Sequence, residues 1–217
     1  GNDMYGELTH SRNDLIITPK TLTITPNADQ SKVYGDLDPV ITYVATGYEN
    51  GDVGQLEGAL NRTSGQIVDQ YLITQGSLEL TTNNYVLEFV HNVLFTIEQR
   101  ELTVDQADSY VYNSLTQMIN LSIGNLVLGD DVVITAATRN AGTYEIDLVI
   151  TGLDINNYII PSTVEVVVDR FELIVNQDSN ESYTYNSISQ AISLTSNMFP
   201  LDDLVLFAEG VNAGAYN

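Results

Sequence analysis

The chain has no cysteine, which excludes disulfide bridges, thiolate zinc sites and cysteine nucleophiles. Tryptophan is absent too, and the aromatic supply is 13 Tyr and 5 Phe. Positive charge is scarce: seven Lys and Arg stand against 29 Asp and Glu, for a net charge of −22. Such a field repels polyanions, so neither nucleic acid nor an anionic membrane surface is expected as a partner. No apolar run approaches the roughly 18 residues of a helical membrane span, and no membrane insertion is expected from these residues. The opening GNDMYGELTHSRND is polar. It is unlike an export leader, which joins a basic start to an apolar stretch, so any targeting segment is expected outside these residues.

Catalytic motifs are missing as well. There is no Gly-x-Ser-x-Gly elbow and no phosphate-binding glycine loop. The two histidines, His10 and His91, fall at equivalent places in a repeated pattern, whereas a catalytic triad needs one histidine in a unique setting. Carboxylates are so frequent that close pairs arise by chance, and a pair alone does not indicate a glycosidase. The expectation is that the chain is not an enzyme and carries no organic cofactor.

What is present is apolar content of 43% in 217 residues, enough for packed cores, and an internal repeat. Three segments begin alike: Thr21-Leu-Thr-Ile24, Glu101-Leu-Thr-Val104 and Glu172-Leu-Ile-Val175. About ten residues after each comes a tyrosine: Tyr34, Tyr112 and Tyr185. A second anchor, Asn140-Ala-Gly142-Thr-Tyr144, recurs as Asn212-Ala-Gly214-Ala-Tyr216, with a looser counterpart in Thr63-Ser-Gly65 followed by Tyr71. A third, Asn83-Asn-Tyr85, recurs as Asn156-Asn-Tyr158. Three anchors in one order, repeating about every 73 residues, mark a repeat architecture. On this basis residues 1–19 are the tail of a preceding repeat, 20–99 repeat 1, 100–169 repeat 2, and 170–217 an incomplete repeat 3. Within that tail, Tyr5–His10 and Asn13–Thr18 align with Tyr85–His91 and Asn92–Ile97, so the tail is expected to complete the unfinished third repeat, head to tail.

Local pattern points to strands. Leu22–Ile24, Val40–Val44, Tyr144–Ile150 and Val164–Val168 alternate apolar and polar side chains, as a half-buried strand requires. Turn residues separate them at 34–39, 49–52, 129–131 and 140–142. The stretches 114–119 and 187–192 hold the best helix signal, yet their counterpart in repeat 1 contains Asp38-Pro39, so a strand or a single turn is expected. The fold class is mainly β: an elongated tandem array of small β-rich domains, each immunoglobulin-like or β-grasp-like. The anchor tyrosines are expected in the core, each with its hydroxyl bonded.

One metal stays open. Asp36, Asp38, Asp130, Asp131, Asp154, Asp202 and Asp203 place hard oxygen donors in or near turns, as Ca²⁺ prefers, though no EF-hand loop is formed. Lys–Asn cross-linking is not expected as a shared device, because Lys20 and Lys32 have no counterparts in the later repeats.

The motifs Tyr34-Gly-Asp-Leu-Asp-Pro39, Gly54-Gln-Leu-Glu-Gly58 and Asn84-Tyr85 resemble the MBG-type (YGX) repeats of large bacterial cell-surface proteins and adhesins. Repeats 2 and 3 depart from the motif, with Tyr112-Asn113 and Tyr185-Asn186. The resemblance implies an exported, cell-surface protein with these units as stalk or adhesive modules. Neighbouring repeats would be the first partners, and host or surface glycans and proteins the second, since some members of that family are linked to mucus or glycan attachment. The alternative to a stalk is therefore a glycan- or mucin-binding module, and a hydrolase accessory domain is a distant third.

Overall fold

The computed structural model describes residues 16–178, 182–200 and 202–211. The chain divides into two compact units with the border between Gln99 and Arg100. Both are built of strands.

The first unit runs β1 (Lys20–Pro26), β2 (Gln30–Val33), β3 (Tyr43–Thr46), β4 (Leu56–Glu57), β5 (Asn61–Arg62), β6 (Asp69–Thr74), β7 (Glu79–Leu80), β8 (Tyr85–Phe89) and β9 (Leu94–Glu98). One sheet has the order β3-β1-β8 and another β2-β9-β6-β5, with a short β4-β7 ladder beside them. The first and last strands lie side by side. β1 pairs parallel with β8, from Lys20 opposite Tyr85 to Ile24 opposite Phe89. β2 pairs parallel with β9, from Gln30 opposite Phe95 to Val33 opposite Glu98. Parallel neighbours need a long crossover, and here strands β3 to β7 supply it. The chain crosses directly from the first of these sheets to the second after β1 and again after β8. Each passage holds a left-handed residue, Asp29 (φ 58) and Asn92 (φ 68), residue types that tolerate this conformation better than most.

Alternation decides which side chains form the core. In β1, Leu22 and Ile24 are buried between threonines, and Phe95 and Ile97 of β9 are almost fully buried. A buried leucine, isoleucine or phenylalanine contributes about 1.5–3 kcal/mol relative to exposure.

The second unit repeats this pairing. Its strands are β10 (Arg100–Glu101), β11 (Thr103–Gln106), β12 (Tyr110–Val111), β13 (Gln117–Ile119), β14 (Leu121–Gly124), β15 (Val133–Thr138), β16 (Gly142–Asp147), β17 (Val149–Thr151), β18 (Tyr158–Ile159) and β19 (Thr163–Asp169). Arg100 lies opposite Tyr158 as Lys20 lies opposite Tyr85, and Val111 lies opposite Asp169 as Val33 lies opposite Glu98. Tyr34 N–H bonds Glu98 O at 2.8 Å and Tyr112 N–H bonds Asp169 O at 2.9 Å. Val166 and Val168 take the places of Phe95 and Ile97 in the core. One strand is new. Gln117–Ile119 pairs with β15, whereas the matching stretch of the first unit contains Pro39, which lacks the N–H that a ladder needs.

The described residues of 170–211 carry two short ladders, β20 (Val175–Gln177) with β22 (Leu194–Ser196) and β21 (Gln190–Ala191) with β23 (Glu209–Gly210). None of their described residues is buried, and Val205 is 86% exposed. Counterparts of β8, β9, β18 and β19 are not among the described residues of this stretch.

The expected strands at 22–24, 144–150 and 164–168 coincide with β1, with β16 and β17, and with β19. The expected strand at 40–44 begins only at Tyr43, because Pro39 holds the preceding stretch out of the ladder. The helix-compatible stretches 114–119 and 187–192 contain β13 and β21. The proposed pairing of the 1–19 tail falls almost wholly outside the described residues.

One glycine is fixed by a ring. Gly65 has φ +152°, and a Cβ there would lie 2.1 Å from Tyr71 Cε1. Gly51 is also left-handed (φ +91°), but nothing stands within 4 Å of its Cβ position. Gly65→Ala is therefore expected to destabilise the first unit by about 2–3 kcal/mol. Gly51→Ala is expected to cost only about 1 kcal/mol, the ordinary left-handed penalty. Urea unfolding followed by circular dichroism measures both, and equal effects would show that the ring contact is unimportant.

Candidate functional site

The motif loop Tyr34–Pro39 is tied down by charge. Arg62 of β5 donates from Nε to Asp38 Oδ2 at 2.7 Å and from Nη2 to Asp38 Oδ1 at 2.9 Å. Its third nitrogen, Nη1, donates to Thr63 O at 3.1 Å and Gly65 O at 2.7 Å. The guanidinium carbon lies 4.7 Å from the centre of the Tyr71 ring and 5.5 Å from that of Phe95. Lys32 Nζ stands 2.6 Å from Asp38 Oδ1 and donates to Asp36 O at 2.9 Å and Gln66 Oε1 at 2.8 Å. The side chains of Arg62 and Lys32 are only 3% and 4% exposed, and Asp38 is 37% exposed. Two cations thus sit in the core edge with one shared carboxylate and a shell of carbonyl acceptors, which is how a buried charge becomes tolerable. Arg62, foremost through its hydrogen bond, holds the Asp38 carboxyl below its usual value.

A second arrangement occurs twice. Tyr85 OH donates to Asp52 Oδ2 at 2.6 Å and accepts from Glu49 N–H at 3.0 Å. Tyr158 OH donates to Asp130 Oδ2 at 2.5 Å and accepts from Val127 N–H at 3.0 Å. In each case the aspartate closes a turn, with Asp52 N–H on Glu49 O at 3.1 Å and Asp130 N–H on Val127 O at 3.2 Å. The tyrosine at the start of β8 or β18 thereby staples that turn to the unit. Burial first, and then the hydrogen bond to Asp130, push the Tyr158 hydroxyl up to about 12. The hydrogen bond to Asp52 raises the Tyr85 hydroxyl in the same way.

The other anchors divide. Tyr34 is buried. Tyr71, also buried, donates to Ile67 O at 2.9 Å. Tyr144 is half-buried, donates to Asn140 O at 2.8 Å and shares a short hydrogen bond with Thr138; Gly142 lies against its ring. Tyr112 is half-buried and donates to the Asp202 carboxylate. Tyr185 departs from the expectation of a core role, being 58% exposed with Ser187 Oγ at 2.9 Å from its hydroxyl. The strands that cover Tyr34 and Tyr112 have no counterpart around it among the described residues. Gly214 and Tyr216 lie outside the described residues.

Most of the carboxylates considered for Ca²⁺ are bonded to protein groups. Asp38 faces Arg62 and Lys32, Asp130 takes the Tyr158 hydroxyl, and Asp202 takes that of Tyr112. Asp36 offers its carbonyl oxygen to Lys32. Asp154 Oδ2 accepts from Asp131 N–H at 2.8 Å, and Asp131 Oδ2 accepts from Leu153 N–H at 3.2 Å. Asp203 lies beside Asp202 in the chain and is exposed. Among the described residues no three His, Cys, Asp or Glu side chains form a group suited to a metal ion. His91 packs edge-on against Phe89, with ring centres 5.2 Å apart, beside an open groove of about 330 Å³ lined in part by Leu72, Thr74 and Gln75. His10 lies outside the described residues.

The sequence marked Asp52 only as a turn residue and Lys32 only as a cross-linking candidate, and it did not single out Arg62. A usable signal was present: Arg62-x-x-Gly65 matches Arg139-x-x-Gly142.

Residues 22–95 match the family model of the MBG domain (YGX type). That stretch begins inside β1, ends in β9, and contains both the Asp38 knot and the Tyr85 staple. The MBG resemblance is thus shown over the first unit. No curated protein and no solved structure matches the chain.

The two arrangements titrate in opposite directions. The lowered Asp38 carboxyl contributes stability that is present above its unfolded value of about 3.9 and is lost as pH falls through the folded value. Asp38→Ala leaves Arg62 and Lys32 buried without their counter-ion, an expected loss of about 3 kcal/mol at neutral pH. That figure is the low end for a buried pair, because Asp38 is 37% exposed. The variant's stability should also fall less steeply below pH 4 than the parent's. The raised Tyr158 hydroxyl contributes stability that is present below its unfolded value of about 10 and lost as pH rises through about 12. Tyr158→Phe should therefore flatten alkaline unfolding over that window. Urea melts across pH check both, and a parallel acid or alkaline profile in the variant would contradict the corresponding assignment.

Proposed function

We propose that the chain is a non-catalytic spacer: a tandem array of small β domains within an extracellular bacterial surface protein or adhesin. The supporting observation is where the polar chemistry goes. Asp38, Asp52, Asp130, Tyr85 and Tyr158, the groups most able to form a site, are bonded to one another or to buried cations. Their bonds close turns and loops, which is a structural task. The family match over residues 22–95 supports the surface-protein setting. Sandwich-like packing is favoured over β-grasp, since each unit has buried rows in several sheets and no α-helix among its described residues. Resident cofactors and metals are not part of this reading.

A stalk of separate units should be extended. Small-angle scattering is expected to give a radius of gyration well above the roughly 17 Å of a compact chain of this length, and a value near 17 Å would overturn the spacer reading. The groove beside His91 and Phe89 favours a second reading, a glycan-binding module. Glycan arrays are expected to be silent; robust binding that is lost on His91→Ala would favour that second reading. EDTA is expected to leave the melting temperature unchanged, and a drop restored by Ca²⁺ would reinstate the turn carboxylates as ligands.

A further inference from the structure

The aspartate that closes the staple turn occurs three times. Asp52 N–H bonds Glu49 O, Asp130 N–H bonds Val127 O, and Asp202 N–H bonds Phe199 O at 3.1 Å. In the first two cases the carboxylate receives a tyrosine hydroxyl from a strand further along the same repeat, Tyr85 or Tyr158. Asp202 instead receives the hydroxyl of Tyr112, which lies 90 residues earlier. The same turn therefore bonds backwards, onto the loop that follows β12.

Other contacts converge on this point. The ring of Phe199 stands edge-on to that of Tyr112, with centres 6.1 Å apart, and 4.6 Å from the ring of Phe171. Arg139 holds the Tyr112 loop from the other side, donating from Nε to Ser114 O at 2.9 Å. Ser114 is buried and left-handed (φ 65°), so this loop is held in one unusual conformation. Tyr112 first, then Ser114, hold the Asp202 carboxyl below its usual value, and Arg139 adds to this at longer range. Residues 170–211 have no buried side chain of their own among those described, so they need an external surface to fix their position.

We infer that Tyr112, Ser114 and Arg139 form a socket that receives the Phe199–Asp202 turn and fixes residues 170–211 relative to residues 100–169. The partner it fits is a turn with an aromatic residue followed three positions later by aspartate. The ring edge supplies apolar contact, and the carboxylate supplies direction, because a hydroxyl–carboxylate bond is strong and geometrically narrow. The inference deepens the spacer reading, since a stalk transmits position only if its joints are stiff. It concerns one joint and does not depend on where the protein works.

The absence of native cysteine allows spin labels at Thr143→Cys and Thr195→Cys, two exposed strand positions, in the full chain. Pulsed electron–electron resonance is expected to give one narrow distance peak. Tyr112→Phe removes a single oxygen and should broaden that peak, as should Asp202→Ala. The double variant should be no broader than Asp202→Ala alone, because that change already removes the Tyr112 bond. Phe199→Ala should broaden it further; if that variant fails to fold, Tyr112→Phe decides alone. A broad distribution in the parent, or a peak unchanged by Tyr112→Phe, would overturn the socket. A narrow peak together with a compact scattering profile would overturn the spacer reading while leaving the socket standing.

Discussion

Everything in the first unit depends on closing its two chain ends against each other. A unit of this size buries little apolar surface, and each exposed sheet edge would weaken it further. The parallel pairs β1–β8 and β2–β9 meet that constraint, because they bring residues 20–33 and 85–98 into the same two sheets. Parallel pairing of the ends also carries a kinetic consequence. The pairs that close the unit span most of its sequence, and contacts of such separation form late and slowly. Local anchors that limit the search should therefore matter, and the Tyr85 staple is one: it fixes the long loop between β3 and β4 against the start of β8.

The knot around Arg62 answers a different need. A loop rich in Gly, Asp and Pro has almost no apolar side chain to anchor it, and Leu37 is fully out in solvent. Its position must come from polar bonds. Asp38 gives two oxygens to a planar fork that is itself stacked on Tyr71 and Phe95, a geometry that lysine could not reproduce. Burying two cations is costly in principle, and the high negative charge of the chain lowers that cost, since the surrounding field favours cations. This also accounts for where the scarce positive charge goes. Lys32 and Arg62 are two of only seven basic residues, and both serve this one loop.

Much of this was legible in the sequence, and the reasons it stopped where it did are physical. Period-two alternation marked β1, β16 and β19 because each has one buried face. The anchors Asn83-Asn-Tyr85 and Asn156-Asn-Tyr158 pointed to equivalent tyrosines, and their hydroxyls occupy equivalent turns. The identity of the acceptors was not legible. Asp52 and Asp130 sit among many other carboxylates, and only the fold brings one of them within reach of a tyrosine 33 or 28 residues away. Strand pairing was hidden for the same reason: alternation reveals which face is buried but not which neighbour lies beside it, so the parallel closure could not be read. Val40–Val44 misled because alternation ignores the missing N–H of Pro39. Tyr185 misled because equivalence in sequence does not carry along the strands that would cover it.

Divergence between the copies becomes intelligible on the same footing. The first unit keeps Gly35 in its left-handed position and uses Asp38 to hold the loop from within. The second has Asn113 at the matching position and its left-handed residue one place later, Ser114 at φ 65°, and its loop is held by Arg139 and by the Phe199–Asp202 turn. A serine in that conformation costs about 1 kcal/mol more than glycine, so it persists only where surrounding contacts over-determine it. Loss of the Gly and Pro from the motif therefore need not be decay. It replaces a loop that is complete in itself with one whose geometry is set by what docks on it, and a repeat whose motif loop depends on a neighbouring turn has a reason to differ from one whose loop does not.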